Sequence, residues 1–212
     1  MIGASHATRA VVLFTVVGAV LANGVGEHRS STPTAAVATV VAAPLAQPAI
    51  AARAWAGATP MVASPPVRVR IPAIGVDSEL MDLGLQPDGT MEVPPDAFPA
   101  GWYTGAPTPG EPGPAIIAGH VDWRGPGVFH DLHLLRPDDE VTVARADGSV
   151  AVFRVTAVEQ YPKDAFPTDV VYGDIDHAGL RLITCGGVFN RQTGSHDDNI
   201  VVFAELTEPP RG

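Results

Sequence analysis

Only one cysteine, Cys185, occurs among the 212 residues, so no internal disulfide can form. The thiol is left for core packing, for pairing with another chain, for metal binding or for chemistry. Positive charge is also scarce. Residues 1–65 hold Arg9, Arg29, Arg53 and Glu27, which leaves ten basic and 22 acidic residues beyond them, a formal charge of −12. Nucleic-acid binding needs a positive footprint, and this composition excludes it. The leading apolar run is short as well: Ala10 to Ala22 is thirteen residues without charge. As a helix it rises only about 20 Å against roughly 30 Å of hydrocarbon.

That run follows Arg9 and is succeeded by Asn23 and glycines, the pattern of an export signal. Including Asn23 to Gly26 makes a marginal span, and Val20-Leu21-Ala22 fits a cleavage site. Residues 1–26 are therefore read as an export signal or an N-terminal membrane anchor. No cysteine stands near the end of the run to carry a lipid. Residues 27–65 are rich in Ala, Pro, Thr and Val, nearly free of charge and without a sustained period, and read as a tether.

From about Pro66 the texture changes to short apolar or alternating runs separated by turn signals: "VRVRIPAIGVDSEL", "TMEVP", "AIIAGH", "EVTVA", "VAVFRVTAVEQY", "LRLITC" and "NIVVFAEL". These predict strands. "ADGS" at Ala146 to Ser149 and "QPDGT" at Gln86 to Thr90 are Asp-Gly turns, the first a hairpin. Helical pieces are brief, such as Gly127 to Leu135, where Phe129, Leu132 and Leu135 recur every three residues. The expected architecture is an all-β, closed, mostly antiparallel barrel with short helical insertions over residues 66–208, followed by a tail at 209–212.

Two residues stand where chemistry is most often exposed, at strand ends. Cys185 closes an alternation that places Leu180, Leu182 and Thr184 on one face and Arg181, Ile183 and Cys185 on the other, before Gly186-Gly187. A small thiol is also a good core residue, but the exported context and the break into glycine favour function. His120 ends "PAIIAGH", where an apolar strand meets a polar loop. Imidazole is the acid-base partner that cysteine acyl transfer requires. His130 and His133 lie beside Asp131 with no third ligand indicated, and the acidic pairs Asp138-Asp139 and Asp197-Asp198 read as turn residues rather than a calcium site.

Three segments, in order, resemble the sortases, cysteine transpeptidases of Gram-positive cell walls. "AGHVDWRGPGVFHDLHLLRPDDEVTV" is similar to the sortase histidine segment, through Gly119-His120, Phe129, Leu132, Leu135 and Asp139. "LRLITCGG" is similar to the nucleophile strand through Thr184-Cys185. "GGVFNRQTGSHDDNIVVFA" resembles the following loop and last strand, in the form closest to the actinobacterial class F. The early "RVRIPAIGVD" resembles the first strand, so the likeness runs from about Val67 to Leu206.

The resemblance implies an eight-stranded sortase-type β-barrel that needs no cofactor and no metal. It implies cleavage of a Leu-Pro-X-Thr-Gly type sorting signal between Thr and Gly through a thioacyl intermediate. The implied partners are surface proteins carrying that signal at the C-terminus, an amine of a peptidoglycan precursor and, if the N-terminus is uncleaved, the cytoplasmic membrane. The implied location is extracytoplasmic, at the outer face of that membrane. Cys185 is the implied nucleophile and His120 the implied acid, with Thr184 and Asn199 on the substrate side. Sortases also use an arginine in or just before the last strand. Asp197, Asp198 and Asn199 stand there, so Arg191 is the nearest candidate for that role. Two other readings are a non-enzymatic wall-binding β-module with a core thiol, and an L,D-type transpeptidase. The latter resembles a Ser-His-Gly-Cys arrangement, whereas His120 lies 65 residues before Cys185.

Overall fold

The computed structural model describes residues 58–207. The expected export signal, most of the tether and the tail lie outside the described residues. Eight strands run in chain order: β1 (Pro66–Ile71), β2 (Val76–Leu83), β3 (Ala100–Tyr103), β4 (Gly113–Ala118), β5 (Glu140–Arg145), β6 (Val150–Pro162), β7 (Ala178–Asn190) and β8 (Ser195–Thr207). They close into a barrel in the order β1-β2-β3-β4-β7-β8-β6-β5. Pairing is antiparallel except for β2 with β3 and β4 with β7. The β5–β6 connection is the expected Asp-Gly hairpin, with Gly148 N–H bonded to Arg145 O at 3.0 Å. "TMEVP", expected as a strand, contributes only an isolated bridge between Leu85 and Met91. Strand β3 and a one-turn helix α1 (Thr168–Tyr172) carry too few periodic positions to announce themselves.

Alternation explains which side chains meet. In β5 and β6, Val141, Val143, Ala151, Phe153 and Val155 point inward and the residues between them face outward. Strand β4 is different, because all six of its residues are buried. Its inner face joins the barrel interior through Ala115 and Ile117. Its outer face joins a second cluster through Ile116 and Ala118, with Val171 of α1, Ile183 of β7 and Val201 of β8. A strand covered on both faces reads as a continuous apolar run. The cover is the β6–β7 crossover, a 3-10 turn (Lys163–Ala165) followed by α1. It lays Phe166, Val171 and Tyr172 over this outer cluster.

The three-residue spacing of Phe129, Leu132 and Leu135 matches a 3-10 turn at Leu132–Leu134, with three residues per turn. All three side chains join the barrel interior. The last residues of the stretch read as tether, Ala58 to Pro65, lie along the barrel. Met61 N–H bonds Gly110 O at 2.8 Å and Ser64 N–H bonds Thr108 Oγ1 at 3.0 Å. The buried Arg145 guanidinium donates to Val62 O. No helix among the described residues is long and apolar enough to cross a membrane.

Candidate active site

Cys185 shares the outer face of β7 with Arg181 and Ile183, so the thiol points away from the barrel interior. Directly after it the backbone changes course: Gly187 adopts φ +73°, a conformation that L side chains rarely take, and the β7–β8 register slips between Gly186 and Phe189. The hairpin beyond this bulge brings Phe189, Ser195 and His196 to the same groove as the thiol. The other side is built from the segment after β4, with His120, Val121, Asp122 and Trp123, and from the Gln86–Val93 stretch. Cys185 and His120, which are 65 positions apart in the chain, both open into this groove.

His120 is held from three directions. The turn at Gly119 requires glycine, because a Cβ there would stand 2.4 Å from Val128 Cγ1. The ring packs against Trp123 with centroids 5.0 Å apart. Its Nε2 lies 2.7 Å from Pro94 O. A carbonyl only accepts, so Nε2 carries the proton and donates, and in the neutral ring the lone pair belongs to Nδ1.

Around Cys185 the sheet sets a row of three residues: Tyr161 of β6 pairs with Asn199 of β8, and Asn199 pairs with Cys185 of β7. Asn199 is therefore the cross-strand neighbour of the thiol. It is 1% exposed, and its Oδ1 has no partner among the described residues. Two residues beyond Tyr161, Lys163 starts the crossover and its Nζ reaches Cys185 Sγ at 3.5 Å while donating to Ser195 Oγ at 2.8 Å. Burial pushes the thiol above its ordinary value. The Lys163 ammonium opposes that shift and the Asp122 carboxylate reinforces it. Asp122 itself is bonded to His196, with Nε2 and Oδ2 3.0 Å apart, and the opposite ring nitrogen of His196 lies 3.2 Å from Gly187 O.

The remaining expected residues lie elsewhere. Thr184 takes the inner face with Leu180 and Leu182, is 2% exposed, and its Oγ1 has no partner among the described residues. Arg191 sits exposed in the turn between β7 and β8, outside the residues that line the groove. Asp197, one of the three residues standing where an arginine is expected, accepts a hydrogen bond from Asn190 Nδ2 at 3.2 Å. His177 belongs to another surface, between Asp176 and Glu205. Reading the sequence passes over Lys163, Ser195, Asp122 and Trp123.

The profile described as "Sortase domain" matches residues 69–207. The chain belongs to the sortase family. Comparison with curated proteins gives no match. Among solved structures, this sortase resembles the SrtA sortase from Actinomyces oris at 27% identity over 69% of its own length and 83% of that chain, with a TM-score of 0.52. Sortase C-1 from Actinomyces oris is similar at 21% identity, covering 68% of this chain and 76% of that one, TM-score 0.52. Sortase A from Corynebacterium diphtheriae is similar at 17% identity and TM-score 0.52 over 70% of this chain. The sortase described here spans 64% of the length of that structure. At these last two identities the likeness speaks for the eight-stranded barrel alone.

Proposed function

We propose that this sortase is an exported cysteine transpeptidase of the class F type, working at the outer face of the cell membrane. It cleaves a Leu-Pro-X-Thr-Gly type signal between Thr and Gly and passes the acyl group to an amine of a cell-wall precursor. The observation that carries the reading is the meeting of the single thiol of β7 and His120 from the segment after β4 in one groove on the outside of the barrel. A core thiol would face inward with Leu182, and this one does not.

The Cys185 thiolate attacks the threonine carbonyl and a C–S bond forms. The C–N bond to glycine breaks as the His120 imidazolium transfers its Nδ1 proton to the departing amine nitrogen. In the second half the acceptor amine adds to the thioester and gives a proton back to Nδ1, and the thiolate leaves. Fixing Nε2 on Pro94 O keeps Nδ1 as the exchanging atom throughout. Asn199, the cross-strand neighbour of Cys185, takes in this reading the substrate-side role that the family resemblance gives it.

The test is mass spectrometry of the products from a Leu-Pro-X-Thr-Gly peptide, with and without an added amine. The expected result is hydrolysis alone in the first case and the amide in the second. A protein that releases the glycine fragment equally well as Cys185→Ala is not a sortase of this kind.

A further inference from the structure

Lys163 is the only lysine in the chain, and it lies against the only cysteine. It is not a casual surface contact. Lys163 directly follows β6 at the start of the crossover, and its ammonium is tied to Ser195 Oγ at 2.8 Å and faces Sγ at 3.5 Å. In the same chain Asp197, Asp198 and Asn199 of β8 stand at the positions that the family resemblance would give to arginine, and Arg191 sits exposed in the β7–β8 turn.

We propose that Lys163 is the cationic positioning residue of this site: its ammonium holds Cys185 as the thiolate ready to attack, in place of a cation from β8. The role builds on the transpeptidase reading but is tested without it. When Cys185 ionises, its proton passes to solvent or to a base in the groove, and Lys163 keeps its three protons and exchanges none. A compact point charge suits the task, because the thiolate is monatomic at sulfur and does not reward the planar fork of arginine. Ser195 fixes where the charge sits. The other charged or titratable groups lining the groove with Cys185 are Asp122 and His120 from the segment after β4, His196 from β8, and Asp88 from the β2–β3 connection. Asp122 disfavours the thiolate, so Lys163 is the group set against both it and the burial of the sulfur.

The experiment is the pH profile of Cys185 alkylation by iodoacetamide, followed by intact mass, in which a single thiol leaves no ambiguity about the labelled site. Lys163→Met and Lys163→Gln are each expected to move the alkylation midpoint upward by about one pH unit, a roughly tenfold slower reaction at any pH below it. Lys163→Arg is expected to stay within about half a unit of wild type, and Ser195→Ala to fall between. Thermal melting of each variant separates folded from unfolded protein. A folded Lys163→Met or Lys163→Gln with the wild-type midpoint overturns the proposal and leaves Lys163 a structural tie to Ser195. A shifted midpoint in a protein that cleaves no sorting peptide sustains the proposal and removes the sortase reading instead.

Discussion

The two faces of β7 obey different rules. On the inner face Leu180 and Leu182 are sealed among side chains of other strands, and packing alone explains them. On the outer face Arg181 lies over the Phe203 ring and Ile183 joins the second apolar cluster, and the strand departs from packing at Cys185, where the neighbours become Lys163, Asn199 and Ser195. One step of two residues along a strand takes the chain from hydrocarbon packing to a partly enclosed polar site. The inner face confers stability and the outer end of the same strand carries the chemistry, so substitutions on the two faces should have opposite signatures.

The largest contrast is between Cys185→Ala and Leu182→Ala. Cys185→Ala should abolish peptide cleavage and leave the melting temperature close to wild type, since it removes the nucleophile and little volume. Leu182→Ala should cost about 2–5 kcal/mol in a denaturant titration, from lost burial and the cavity left behind, while the folded fraction still reacts with iodoacetamide. A Cys185→Ala protein that melts as early as Leu182→Ala would erase the distinction between the faces.

His120→Ala should come next, lowering kcat/KM by about 10² to 10⁴, the span of a lost general acid. Cys185 should stay alkylatable, because the charge set beside the sulfur is that of Lys163. Near-normal turnover would move the acid role to His196, the other histidine lining the groove.

Arg191→Ala is the next comparison, between the hairpin turn and the groove floor. A donor to the developing oxyanion would cost about 10² to 10³ on removal. The exposed turn position of Arg191 leads to an expected loss well under tenfold in kcat/KM. A fall of the larger size would bring the turn into the groove during catalysis and restore the role that family resemblance assigns to Arg191.

The smallest effect concerns Asp122. Its carboxylate raises the thiol value, so Asp122→Asn should move the alkylation midpoint downward by a fraction of a pH unit, opposite in sign to Lys163→Met. Equal signs for the two variants would mean that a shared loosening of the hairpin, through His196 and Ser195, governs the thiol.

How much of this was legible in the sequence varies with the range of the interaction involved. Strands β1, β5, β6 and β8 follow from alternation, and the Asp-Gly hairpin from its turn residues, because both signals act over a few residues. The three-residue recurrence at Phe129, Leu132 and Leu135 likewise reported a real 3-10 turn. "TMEVP" failed as a strand for the converse reason: its apolar residues alternate, but apart from the bridge at Leu85 no neighbouring strand pairs with it.

Sequence alone determined that this is a barrel-forming chain with one thiol where an alternating run meets a glycine pair, inside β7 rather than at its end, and a histidine just past another strand. Periodicity, turn chemistry and the order of the motifs are local properties, written in neighbouring residues. The tertiary structure decided which face of β7 the thiol takes, that Asn199 stands beside it, and that the chain's one lysine closes on it from the β6–β7 crossover. Those facts depend on strand order and register, in which β8 lies between β6 and β7, and on the register slip after Gly186. Lys163 is 22 positions from Cys185 in the chain, so only the closing of the barrel sets the cation against the thiol.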